Sequence, residues 1–201
     1  MTGQLYVISG PSGSGKSTII ELLRRNISGL GYSISHTSRR PRYNEHNGID
    51  YHFVSRDTFS RMIEDVAFVE WAEVYNDFYG TSLSSLSSQL EQGLDVLMDL
   101  EGRGAKKIKE RFQESILIFI LPPSIESLEK RLRERAAEDE NALDTRMKKA
   151  VEELKNCAWY DHIIINDDLN KAVRQGESII ISERCRTSHM LPRLKDMLGI
   201  I

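Results

Sequence analysis

Apolar positions along the chain follow two rhythms. Unbroken runs occur at Leu5-Tyr6-Val7-Ile8, Asp95-Val96-Leu97-Met98, Ile116-Leu117-Ile118-Phe119-Ile120-Leu121 and His162-Ile163-Ile164-Ile165. They show no alternation, which suits strands covered on both faces. Between them, apolar residues recur every three or four positions. One set is Ile19, Ile20, Leu22, Leu23 and Ile27. Others are Ile125, Leu128 and Leu132, and Leu143, Met147, Val151 and Leu154. Two more helices are expected, at about residues 101–111 and 168–182, and Pro122-Pro123 stops the third strand. Strands alternating with helices predict an α/β fold, a parallel sheet with helices on both faces.

Two stretches break the rhythm. Residues 33–92 hold short alternating segments, Tyr51-His52-Phe53-Val54 and Ala67-Phe68-Val69-Glu70-Trp71, separated by Gly, Asn and Asp turns. They predict a small, mixed, β-rich insertion in a core made of residues 1–32 and 93–183. Residues 134–146 are charge-rich and lie between two helices, which suits a lid. Residues 184–201 form a tail, expected helical, in which Leu191, Leu194 and Leu198 would share a face that docks on the domain or on another subunit.

Composition narrows the function classes. The 201 residues carry a net charge of −3 and are 40% hydrophobic and 28% charged. That balance argues against general binding to nucleic acid or anionic membranes. Basic residues are locally dense at Arg39, Arg40 and Arg42 and again across residues 130–135, which favours a small anionic ligand. Cys157 and Cys185 lack metal-ligand spacing and suit free thiols in a reduced, cytoplasmic setting. No secretory signal is expected, and the longest apolar run is too short to cross a bilayer.

The chemistry begins at Gly10-Pro11-Ser12-Gly13-Ser14-Gly15-Lys16-Ser17. This G-x-x-x-x-G-K-S run stands between a predicted strand and a predicted helix, the context a phosphate-binding loop needs. Glycines let backbone N–H groups turn toward phosphate oxygens, and the helix N-terminus adds partial positive charge. Lys16 would reach the β- and γ-phosphates of ATP, and Ser17 would hold Mg²⁺. Asp99, at the carboxyl end of the second strand, lies where ligands bind in parallel sheets and is the other candidate for organising Mg²⁺.

A loop of this kind does not choose a reaction. Ser35-His36-Thr37-Ser38-Arg39-Arg40-Pro41-Arg42, followed by Glu45, Gly48, Asp50 and Tyr51, then Glu70-Trp71-Ala72 and Tyr79-Gly80-Thr81, is more specific. In these segments the chain strongly resembles the guanylate kinase family, in order and at the right spacing, to about residue 182. The resemblance implies a P-loop nucleotide-kinase fold and the reaction ATP + GMP giving ADP + GDP, within purine nucleotide metabolism. It implies GMP-phosphate ligands at Arg39, Arg42, Tyr51 and Tyr79, and guanine contacts at Ser35, Glu70, Thr81 and Glu101. Asp99 is grouped with that site. The ATP side would comprise the loop through Thr18, with Asn166 near the adenine. Lid arginines would be Arg131, Arg135 and Arg146, catalytic together with Lys16 and Arg39. Guanidinium forks and phenols suit a phosphate dianion, and a carboxylate suits the adjacent N1–H and amino donors of guanine.

The chain departs from the family pattern at four places, one of them Thr81, which stands where Ser is commoner and keeps the hydroxyl. Glu101 and Arg103 stand where Asp and Gln are usual, Ala136-Ala137 where Gly-Thr is usual, and Asn44 where Gly is usual, a residue that tolerates positive φ. Trp71 is expected to pack in the core. Two other readings remain: a non-catalytic, guanylate-kinase-like phosphopeptide-binding module, and another nucleoside monophosphate kinase.

Overall fold

The computed structural model describes residues 3–74, 76–135 and 140–199. The chain opens with β1 (Leu5–Ser9), α1 (Lys16–Asn26) and β2 (Leu30–Tyr32). A second group follows: β3 (His36–Thr37), β4 (His52–Phe53), α2 (Arg56–Glu64), β5 (Phe68–Val74), β6 (Asp77–Ser82) and α3 (Leu83–Glu91). The alternation resumes with β7 (Asp95–Asp99), α4 (Gly102–Arg111), β8 (Ile116–Leu121), α5 (Ile125–Arg135) and α6 (Glu140–Lys155). A 3-10 turn at Cys157–Trp159 leads to β9 (His162–Ile165), α7 (Leu169–Arg184) and α8 (Thr187–Leu198).

Five strands form a parallel sheet in the order β2-β7-β1-β8-β9. Alternate residues of β1 face opposite layers. Tyr6 and Ile8 pack with Ile19, Ile20 and Leu23 of α1 and with Ala172, Val173 and Ile180 of α7. Leu5 and Val7 pack with Leu86 of α3, Ala105 and Ile108 of α4, and Tyr160. Full burial of one such aliphatic side chain stabilises by about 1.5–3 kcal/mol, so the unbroken apolar strands follow from having a helical layer on each side. A smaller cluster, Leu128, Leu132, Leu143 and Ala150, joins α5 to α6. This is the P-loop NTPase fold, with a parallel sheet between helical layers and a second, mixed sheet beside it.

That second sheet has the order β4-β3-β6-β5, with β3 parallel to β4 and β6 antiparallel to both β3 and β5. It is the expected mixed sheet, but residues 33–92 also contain α2 and α3, which alternation alone did not reveal. Stacked Phe59, Phe68 and Phe78 fill the space between α2 and the sheet. The edge strand β2 was also absent from the apolar pattern, since its three residues are only half-buried.

Helix ends differ from expectation by a residue or two because of capping. Glu101 and Asp168 stand in extended N-cap positions, and the Asp168 carboxylate accepts from the Lys171 N–H at 2.7 Å. Arg184 extends α7 and clamps Asp95 at 2.7 Å and the Ser28 carbonyl at 3.0 Å. The tail is helical as α8, but Leu191 and Leu198 remain 38% and 55% exposed. Among the described residues, no helix is long and apolar enough to cross a membrane.

Candidate active site

The phosphate loop leaves the carboxyl end of β1, where the Ser9 hydroxyl donates to the Leu100 carbonyl at 2.7 Å and ties β1 to the end of β7. Gly15 has φ +93° and precedes the first turn of α1. A Cβ there would stand 2.2 Å from Asn166 Nδ2, so this position excludes any side chain. Asn166, at the end of β9, is buried and donates to the Ser14 carbonyl at 2.8 Å. Arg131 of α5 reaches the Gly13 and Ser14 carbonyls at 3.4 Å and the Asn166 carbonyl at 3.2 Å. Gly13, Gly15, Thr18, Arg131, Asn166 and Asp167 line part of a cleft of about 300 Å³.

Within the loop, Lys16 Nζ folds back onto the Gly10 and Pro11 carbonyls. Pro11 is buried, whereas Ser12, Ser17 and Thr18 are exposed. The buried Ser14 hydroxyl has no partner among the described residues, which leaves a polar group for a ligand to satisfy. Burial raises the Asp99 carboxyl above the usual carboxylate range, the Lys16 charge pulls it back, and Glu101 raises it further. The Asp99 carboxylate and the Ser17 hydroxyl are hard oxygen donors of the kind Mg²⁺ takes. Among the described residues no group of three or more His, Cys, Asp or Glu is placed to hold a metal.

A second group of the expected site residues lies in the mixed sheet. Arg39 makes a bidentate pair with Glu45, two contacts of 2.8 Å, and its Nε donates to the Tyr79 hydroxyl at 3.2 Å. Its guanidinium also stands 5.5 Å from the Tyr51 ring centre. The pair holds the Glu45 carboxyl down at about 2, chiefly through the Arg39 bonds. The Arg42 N–H donates to Glu45 at 2.8 Å, and the Arg42 side chain is exposed. Arg39, Tyr51 and Tyr79 are therefore gathered, with Arg42 at the rim. Burial raises the Tyr51 phenol, and the nearby charges of Tyr79 and Asp99 raise it further.

Beside it, Glu70 of β5 is 8% exposed and accepts from the fully buried Thr81 hydroxyl at 2.9 Å. Burial raises the Glu70 carboxyl, and the Thr81 bond and Lys107 charge oppose that shift. Gly104 of α4 lies against this carboxylate, where a Cβ would be 3.2 Å from Oε2. Half-buried Ser35 gives its backbone carbonyl to the His52 N–H at 2.9 Å. Glu101 is exposed and paired with Lys149 of α6 at 2.9 Å.

Three expectations need correction or fall outside the description. Trp71 is 38% exposed: it sits at the rim of the Phe59, Phe68 and Phe78 cluster, edge-on to the Phe78 ring at 6.0 Å, rather than inside the core. Asn44 does not use positive φ; among the described non-glycine residues, Val66 and Asn76 do. Arg146 is half-buried on α6. Arg135 ends α5, but its side chain, and Ala136-Ala137, lie outside the described residues.

A guanylate kinase family model matches residues 2–183. The chain belongs to the guanylate kinase family. A guanylate kinase of Geobacter sulfurreducens is 40% identical over 198 residues, covering 98% of each chain. One from Caldanaerobacter subterraneus is 47% identical over 184 residues, 92% of this chain and 89% of that one. A solved guanylate kinase structure from Anaplasma phagocytophilum superposes with a TM-score of 0.78 at 29% identity, covering 100% of this chain and 97% of that one.

Membership draws attention to residues that sequence reasoning left without a role. Glu45 is the main one: it sat inside the quoted motif, but only the fold shows that its carboxylate occupies both prongs of Arg39. Lys149 and Glu153, on an ordinary amphipathic helix, gave no signal at all.

Proposed function

We propose that this chain is a Mg²⁺-dependent ATP:GMP phosphotransferase, giving ADP and GDP. The observation that carries the reading is the pairing of two anion sites across Asp99. One is an intact phosphate loop with Lys16. The other is the Arg39, Tyr51 and Tyr79 group, beside the buried Glu70–Thr81 pair.

The nucleophile would be a GMP phosphate oxygen, which is anionic at neutral pH and needs no general base. The work of the protein is to bring two polyanions into line and offset their charge. Lys16 and the loop amides would hold the donor phosphates. Mg²⁺, near Ser17 and Asp99, would neutralise developing phosphate charge. Arg39 and Arg42 would hold the acceptor phosphate, with Glu45 giving way to it, since both bind the same guanidinium fork. Arg131, Arg135 and Arg146 would neutralise the transferring group, and orientation contributes on the order of 7–11 kcal/mol in favourable cases. Ionised Glu70 would accept from the N1–H and amino group of guanine. Adenine lacks that donor pair and would leave a buried carboxylate unsatisfied.

A coupled ADP-release assay with Mg-ATP and GMP, AMP, UMP or dTMP tests this reading. Fast turnover with GMP alone is expected. No turnover with any acceptor would point to a binding module, and preference for AMP would overturn the guanine assignment.

A further inference from the structure

The mixed sheet ends at β5, its outer strand, and α4 packs along it. Val69 of β5 joins Ala105 and Ile108 of α4 in one buried cluster with Leu5 and Val7 of the parallel sheet. Other positions of the same helix meet the base pocket. Gly104 lies against Glu70, where a Cβ would stand 3.2 Å from Oε2. Lys107 comes three positions later, on the same face, and its Nζ donates to the Trp71 carbonyl at 3.1 Å. Trp71 follows Glu70 directly in β5, so this tether places the lysine charge one residue from the buried carboxylate.

That placement matters because of what surrounds Glu70, which is 8% exposed. From β6 it faces neutral donors, the hydroxyl and the N–H of Thr81. From α4 it faces Gly104, which brings no side chain, and Lys107. Among the described residues, Lys107 is the charged group whose field acts on this carboxylate. A buried carboxyl with neutral partners takes up a proton readily, and a nearby cation opposes that. The form it takes decides the base it suits. Ionised, it only accepts, as the N1–H and amino group of guanine require. Protonated, it gains an O–H donor, which opposes guanine N1–H and suits the bare N1 of adenine. Lys107 itself is exposed, so its charge is partly screened, and the bond to the Trp71 carbonyl keeps it close.

We propose that Lys107 is a positioning residue for base recognition, tethered to β5 so that its charge holds the Glu70 carboxylate in the form that accepts from guanine. Its action is through Glu70 rather than on a nucleotide. The proposal rests on the guanine-binding reading of the Glu70 pocket.

The test is the GMP KM of the full chain, followed from mildly acidic to mildly alkaline pH in Lys107→Ala, Lys107→Gln and Lys107→Arg. Gln keeps a donor for the Trp71 carbonyl and removes the charge, whereas Arg keeps both. In the Ala and Gln variants the acidic rise of the GMP KM should begin on the order of half a pH unit higher than in wild type, the size an exposed cation gives. On that limb the GMP KM should exceed the wild-type value about threefold. At alkaline pH it should match wild type, and the ATP KM should match throughout. Lys107→Arg should restore the wild-type profile. In a Glu70→Gln background Lys107→Gln should shift nothing. A wild-type profile in Lys107→Gln overturns the proposal, because the lysine then only anchors the strand. A GMP KM raised equally at every pH overturns it too. If the wild-type chain does not turn over GMP, or if Glu70→Gln leaves the acid limb intact, the base-pocket reading fails and takes this proposal with it. An acid limb that Glu70→Gln removes and Lys107→Gln leaves in place removes the proposal alone.

Discussion

Glu70 shows how one residue's environment sets both chemistry and pH response. In the sequence it is one acid among many, and only its place between two motifs marks it. The fold supplies the reason, since β5 buries its carboxylate beside the Thr81 hydroxyl and against Gly104. Ionised Glu70 is the form that accepts two donors, and burial raises its pKa. The GMP KM should therefore rise on acidification at a pH above the ordinary glutamate value of about 4.3. The sign for stability is opposite. The folded state holds this proton more tightly than the unfolded chain, so the group favours folding at low pH and opposes it as pH rises through the raised pKa. Glu70→Gln should lower kcat/KM for GMP roughly tenfold to a hundredfold, the loss of a charge-assisted bond. It should also remove most of the acid-side KM change. Unaltered selectivity for GMP over AMP in that variant would contradict the assignment.

Local signals at the level of elements made the loop and four core strands legible. Their apolar runs are unbroken because both faces are covered, and the loop's spacing is set by backbone geometry. Other elements were hidden for physical reasons. α2 is only nine residues long, so the helical spacing of Phe59, Met62 and Ile63 spans too short a stretch to stand out. α3 is rich in serine, which reads as loop, although Leu83, Leu86 and Leu90 keep helical spacing. β2 has three half-buried residues. The pairing of Glu101 with Lys149 was hidden too, because the two residues are far apart in sequence and only α6 brings them together. The junction of loop and α1 gives an element-scale test. Gly15→Ala would place a methyl 2.2 Å from the Asn166 amide at φ +93°, costing about 1–3 kcal/mol in backbone strain alone. The ATP KM should rise at least tenfold while GMP binding, followed by calorimetry, stays within a factor of about three. Loss of both together would mean that the two sites are not separable.

For the whole molecule, the arrangement that matters is the presence of two sheets in one chain. The parallel sheet presents the phosphate loop and Asp99 at its strand ends, and the mixed sheet presents Arg39, Tyr51, Tyr79 and Glu70. Neither sheet alone has both anion sites. The phosphate loop could be read from residues 10–17, but the nearness of Tyr51 to Asp99, which are far apart in sequence, appears only in three dimensions. Phosphorus NMR of the wild-type chain with equimolar Mg-ATP and GMP tests this two-site account most directly. The γ-phosphate signal of ATP should decline as GDP and ADP signals grow in equal amounts. Accumulation of ADP and inorganic phosphate with GMP intact, or no change in either nucleotide, would contradict it.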